Sequence, residues 1–197
     1  MPKLHPDPLT WESHKKSWSN CQGCKLSECR KKVVLGRGQL PADIIYIGEA
    51  PGVRENDTGR PFVGPAGGYF DELIDAAVEE SQYPKLKMVW TNMVACIPKY
   101  DPPKITAPRK AEIEKCSERL NEIVQLAQPL AIVMVGAKAH KYAPVMVDYD
   151  PQFSLDVKHP SAIMQEKTVR QSTSIDRIVI QLSDLFVQLH EYKQSNG

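Results

Sequence analysis

The stretch Asp43-Ile44-Ile45-Tyr46-Ile47-Gly48-Glu49-Ala50-Pro51-Gly52 decides the fold. Its first half is an apolar, β-rich run that reads as a buried parallel strand over 43–47. Its second half opens a glycine- and proline-rich loop that continues through Gly59-Arg60-Pro61-Phe62-Val63-Gly64-Pro65-Ala66-Gly67. Beyond the loop, Phe70, Leu73, Ile74, Ala77 and Val78 recur at helical spacing, which predicts a helix near 66–79. A loop leaving the C-terminal end of such a strand is where open α/β sheets build their sites. An ordinary surface crossover is the plain alternative. Length and glycine density, with Glu49 and Phe62 held inside the loop, favour a pocket made largely of backbone.

Outward from this stretch, strands are expected at 87–93 and 131–135, with a last short one at 153–157. The segment 33–38 is a short strand or an extended piece. Trp11 and Trp18 bracket a short N-terminal helix, and a second helix runs from 108 to 128 with Ile113, Cys116, Leu120, Ile123 and Val124 on one face. Pro129 closes it. Gly136 turns the chain into a short helix that carries His140, and 142–152 is read as loop. Ile175, Ile178, Val179, Leu182, Leu185, Phe186 and Leu189 mark an amphipathic helix over 173–193. Pro98, Pro102, Pro103 and Pro108 make 97–108 an irregular surface loop. Strands alternating with helices predict an α/β fold, a parallel sheet with helices on both faces. At 197 residues one domain spanning 1–197 is expected, with 1–32 as an N-terminal segment.

A net charge of +1 argues against purely electrostatic binding to nucleic acid, while leaving room for a local basic patch. No apolar run reaches membrane-spanning length. Met1 to Pro6 lack an apolar signal core, so a cytoplasmic protein is expected, in a prokaryote or a virus-infected cell. It is expected to be a monomer with no membrane partner.

Cys21 and Cys24 stand two residues apart, a spacing that suits zinc, a redox dithiol or a cluster. Cys96 at a strand exit and Cys116 in the next helix complete a set of four thiolates if the proline-rich loop folds back. As buried small hydrophobes they are read equally well. Cys29 is the bystander. Sulfur ligation alone leaves zinc and iron–sulfur open.

The pattern GEAPG-x₂-E-x₃-G-x-PFVG-x-AG at 48–67 resembles the family 4, iron–sulfur uracil-DNA glycosylases. So do C-x₂-C-x-L at 21–26, Thr91-Asn92 before Cys96, P-x₅-VG at 129–136, and His159-Pro160-Ser161-Ala162. The resemblance implies a three-layer α/β/α sandwich around a four-stranded parallel sheet. It implies a [4Fe–4S] cluster on Cys21, Cys24, Cys96 and Cys116, with zinc as runner-up. It implies hydrolysis of the N-glycosidic bond of uracil flipped out of single- or double-stranded DNA, leaving an abasic site.

In that reading Phe62 is the stacking face for the extruded base. Asn92 offers one donor and one acceptor to uracil N3–H and O4. His159, before a proline suited to the first helical position, faces the departing anion. Glu49 orients water or stabilises the cationic sugar. Gly48, Ala50, Pro51 and Gly52 shape the wall, and Ser161 contacts a phosphate. Each has a plainer reading: a core Phe, a turn-capping Asn, a structural His, a carboxylate capping backbone amides. His5, His14, His140 and His190 are read as structural.

The chain departs from the family where cations are expected. Ala95 and Ile97-Pro98-Lys99 flank the third cysteine, and Ile163-Met164-Gln165 follow the His-Pro motif. Each lost cation weakens engagement of DNA phosphates, unless Lys104, Arg109, Lys110, Lys158 or Lys167 compensates. A divergent, virus-encoded member is one reading. A weak or inactive glycosylase fold serving as a DNA-binding or replication-accessory protein is the alternative. A phosphate cradle at 48–52 fits less well, because the loop lacks the Lys-Ser/Thr of a P-loop.

Overall fold

The computed structural model describes residues 9–99 and 104–196; His5, Pro102 and Pro103 lie outside them. After helix α1 (Trp11–Trp18) and a 3₁₀ turn at Lys25–Glu28 come β1 (Arg37–Gly38), β2 (Ile44–Gly48), α2 (Val53–Thr58), α3 (Pro65–Ser81) and β3 (Met88–Asn92). The second half adds α4 (Lys110–Ala127), β4 (Ala131–Val135), α5 (Ala137–Met146), β5 (Phe153–Val157), α6 (Pro160–Met164) and α7 (Thr168–Asn196).

The sheet order is β1-β3-β2-β4-β5. Strands β2 to β5 are parallel, as expected. A fifth strand extends the expected four: β1 pairs antiparallel with β3, Arg37 opposite Trp90 and Gly38 opposite Val89. Alternation along the strands sends neighbouring side chains to opposite faces. Ile44, Tyr46, Met88, Trp90 and Val133 pack with Phe70 and Ile74 of α3 and Leu182 and Phe186 of α7. Ile45, Ile47, Val89, Ile132 and Met134 pack with Leu120 and Ile123 of α4 and with Ala139 and Ala143 of α5. Two cores on one sheet give three layers. They also explain why β2, β3 and β4 are buried at every position.

Other boundaries move for local reasons. The glycine-rich loop contains α2, framed by Gly52 and by Gly59 at φ 79°, where a side chain would be strained. Helix α5 runs through Pro144 to Met146, so much of the expected loop at 142–152 is helical. The last helix, α7, starts earlier and ends later than 173–193. Among the described residues no helix is long and apolar enough to cross a membrane.

The order of the parallel strands fixes where a site forms. Strand β3 lies on one side of β2, and the next strand, β4, lies on the other. The chain reverses direction across β2, and crevices open at the C-terminal ends of strands at such a switch point.

Candidate active site

A cleft of about 720 Å³ opens at this end of the sheet. Strand β2 delivers Glu49, Ala50, Pro51 and Gly52 to it; β3 ends on Asn92; and β5 leads to His159, Pro160 and Ser161. Phe62 lines it from the loop ahead of α3. All the expected site residues of the loop and strand ends therefore line one cavity except Gly48. That residue sits behind the pocket wall: a Cβ on Gly48 would lie 2.5 Å from Asn92 Oδ1 and 2.7 Å from Phe62 Cζ. Gly48 and Asn92 are paired in register, so the missing side chain lets the ring and the carboxamide close over the strand. Among the described residues no protein group hydrogen-bonds the Asn92 carboxamide, and Asn92 is 4% exposed.

Phe62 has φ 54°, a left-handed conformation that costs a non-glycine residue about 1–2 kcal/mol. Several contacts hold it there. Buried Glu55 on α2 accepts backbone N–H bonds from Val63 (2.9 Å) and Gly64 (2.6 Å), and from Gly52 at 3.1 Å. Gly67 passes so close that a Cβ would lie 2.3 Å from the Phe62 carbonyl carbon. The sequence pattern includes Glu55 and gives no hint of this task, because its partners lie eight and nine residues onward.

His159 is the N-cap of α6, with φ −64° and ψ 131°. Its Nδ1 accepts from the Ser161 N–H at 3.2 Å and lies 2.7 Å from Ser161 Oγ. An Nδ1 that accepts assigns the proton to Nε2. Burial holds the imidazole below its ordinary pKa, favouring the neutral ring. Behind it, Gly136 at φ 96° leaves room that a Cβ would fill, 3.0 Å from His159 Cβ. Glu49 stands 3.8 Å from Lys138 Nζ on α5.

Cations expected to meet DNA are partly engaged within the chain. Lys158 pairs with Glu166, and Lys110 lies 3.6 Å from Glu114. Arg54, exposed on α2, lines the cleft. The other described histidines are occupied: His14 Nδ1 with Glu122 at 2.8 Å, His140 with Asp156 at 2.6 Å, and His190 donating to the Pro84 carbonyl at 2.9 Å.

On the α4 side of the sheet, Cys96 is buried and Cys21, Cys24 and Cys116 are partly so. Burial pushes the Cys96 thiol up to about 12, eased by Arg30 and raised further by the charges of Cys116, Cys24 and Cys21. Cys24 is raised in the same way, by burial first and then by Cys116, Glu112 and Cys21. The four thiols thus lie within electrostatic reach of one another. Among the described residues, no three His, Cys, Asp or Glu side chains are grouped to hold a single metal ion. Cys29 points its thiol at the Lys25 and Leu26 carbonyls instead.

Arg119, 1% exposed, lies one turn beyond Cys116 on α4. It donates to Thr91 Oγ1 at 2.8 Å, to the Met93 carbonyl at 2.9 Å and to the Asn92 carbonyl. No motif marks it, and it joins the thiol region to the strand end that carries Asn92.

The chain is similar to known proteins to different depths. A type-4 uracil-DNA glycosylase of Sulfurisphaera tokodaii is 35% identical over 133 residues, 66% of this chain and 56% of that protein. Namesakes from Saccharolobus solfataricus (37% over 62% of this chain and 53% of that one) and Thermotoga maritima (36% over 60% and 58%) agree. The chain spans little more than half the length of these curated relatives. The crystal structure of Pedobacter heparinus SMUG2 superposes with a TM-score of 0.53 at 18% identity, covering 73% of this chain and 76% of that one. At that identity the likeness concerns the fold. The family model for the uracil DNA glycosylase superfamily matches residues 35–183, from the edge strand into the last helix and across the whole cleft. The chain belongs to the uracil DNA glycosylase superfamily.

Proposed function

We propose that the chain hydrolyses the N-glycosidic bond of uracil flipped out of single- or double-stranded DNA, leaving an abasic site. The observation that carries this is the meeting of Phe62, Asn92 and His159 in one cleft. An extruded pyrimidine stacks on the Phe62 ring. The free Asn92 carboxamide accepts from N3–H and donates to O4. Cytosine presents the opposite pattern and leaves those buried polar atoms unpaired. Bond cleavage puts negative charge on uracil O2, and the His159 Nε2–H donates to it. Glu49 faces the sugar, where it stabilises positive character or orients the attacking water. Arg54 and Ser161 at the cleft supply contacts for phosphate.

Cys21, Cys24, Cys96 and Cys116 would hold a [4Fe–4S] cluster that ties the N-terminal segment to β3 and α4. A single zinc requires every sulfur about 2.3 Å from one point. The preference for a cluster over zinc rests on the resemblance to the iron–sulfur family and not on the placement of the thiols, which among the described residues form no single-ion group. Iron and acid-labile sulfide in equal amounts are expected in anaerobically purified protein; zinc alone would refute the cluster.

The activity is tested by incubating the protein with a uracil-containing oligonucleotide and then alkali. Scission at uracil, and none at cytosine, is expected; intact strands at every salt concentration would leave the accessory-protein reading in its place. Gly48→Ala supplies a sharper check. The added methyl overpacks the ring and carboxamide by about 1–3 kcal/mol, and kcat/KM is expected to fall roughly tenfold or more. An unchanged kcat/KM would detach Gly48 from the pocket.

A further inference from the structure

We propose that Arg37 is a positioning residue for the base-stacking ring, acting on the cleft through Phe62 alone. The inference rests on the uracil-excision reading for its kinetic test and on geometry for its origin. The left-handed φ of Phe62 persists only if its surroundings over-determine it. Glu55 fixes the peptide that follows Phe62. The peptide before it is held from the other side, where Arg37 Nε donates to the Pro61 carbonyl at 2.9 Å. Rotating φ of Phe62 back to the ordinary region swings that carbonyl, so this bond opposes the rotation directly.

The guanidinium is itself immobilised. Its Nη2 reaches both carboxylate oxygens of Asp71, at 2.6 and 2.8 Å, and its Cζ lies 4.0 Å from the Trp90 ring centroid. Trp90 stacks on Tyr46 at 5.4 Å; Tyr46 meets Phe70 edge-on at 5.4 Å; Phe70 lies 6.1 Å from Phe62. The lock and the platform thus rest on one continuous aromatic layer. Arg37 does not line the cleft, so any effect on substrate passes through another residue. Holding a carbonyl and a carboxylate at once requires the arginine fork; a lysine ammonium replaces one contact and not the other.

The plainer possibility is that Arg37 only pins the short edge strand to α3. A double-mutant cycle separates the two. Arg37→Lys and Arg37→Met are each made alone and with Phe62→Ala, and single-turnover rate and KM are measured on a uracil oligonucleotide. Either Arg37 change alone is expected to lower the single-turnover rate about tenfold, within the penalty that small misplacements carry. In the Phe62→Ala background neither is expected to lower it further. Equal losses in both backgrounds, or full activity in Arg37→Lys, would overturn the proposal. A fluorine-labelled Phe62 ring read by NMR gives a signature independent of turnover: its resonance is expected to shift or broaden in Arg37→Lys. An unmoved resonance also overturns it, even if the wild-type protein releases no uracil, an outcome that would sink the activity reading separately.

Discussion

His159→Ala is expected to slow uracil release by about 10²–10³-fold, the usual loss when one donor to a developing anion is removed. The imidazole accepts at Nδ1 from the Ser161 N–H and so presents Nε2–H as the donor. Because burial lowers its pKa, the neutral ring is retained below the ordinary histidine value of about 6.5. The rate should therefore stay level as pH falls through that value. The sign for stability follows from linkage. The unfolded chain takes up the proton first, so this contribution is complete above the unfolded pKa and is lost as pH falls through the folded one. In His159→Ala that part of the acid destabilisation should vanish, while at neutral pH loss of the α6 cap should cost about 0.5–2 kcal/mol. A variant with wild-type single-turnover rate would remove His159 from the chemistry.

Much of this site is legible in the sequence because its parts sit at the ends of buried strands. The run before Gly48 reads as a strand covered on both faces, whereas Asn92 and His159 are marked by the resemblance of Thr91-Asn92 and His159-Pro160-Ser161-Ala162, β5 being only alternately buried. Helix α2 escaped because Val53-Arg54-Glu55-Asn56-Asp57-Thr58 carries no apolar period; glycines frame it, and Glu55 holds it to the loop. Strand β1, two residues long, falls at the end of the extended piece expected at 33–38, but its antiparallel pairing with Trp90 and Val89 has no local signal. The anchoring role of Arg37 is likewise tertiary, since its partners Pro61, Asp71 and Trp90 are far away in the chain. Arg119 did leave a trace. It falls three residues after Cys116 and four before Ile123, inside the apolar stripe of α4, and a cation on that stripe must be buried or break the pattern.

Burial of that cation leads to the largest expected effect on stability. Arg119→Met is expected to cost about 3–5 kcal/mol in protein reconstituted with iron and sulfide, the range for removing one member of a compensated buried pair. Two effects oppose each other. Loss of the guanidinium strands the Asn92 and Met93 carbonyls, at about 1–3 kcal/mol each. Against this, a fully desolvated arginine, its pKa lowered by burial and sustained by the charges of Cys116, Cys96 and Glu122, is less well compensated wherever the thiolate charges are missing. In metal-free protein the Cys96 thiol, pushed up to about 12, stays protonated at neutral pH and offers Arg119 no charge. The proposed cluster would deprotonate the thiols it binds and so supply that charge. The substitution should therefore destabilise the reconstituted protein clearly more than the metal-free protein, as read from denaturant midpoints of both forms. Equal losses in the two forms would mean that Arg119 serves only its carbonyl partners and that the thiols lie outside its electrostatic reach.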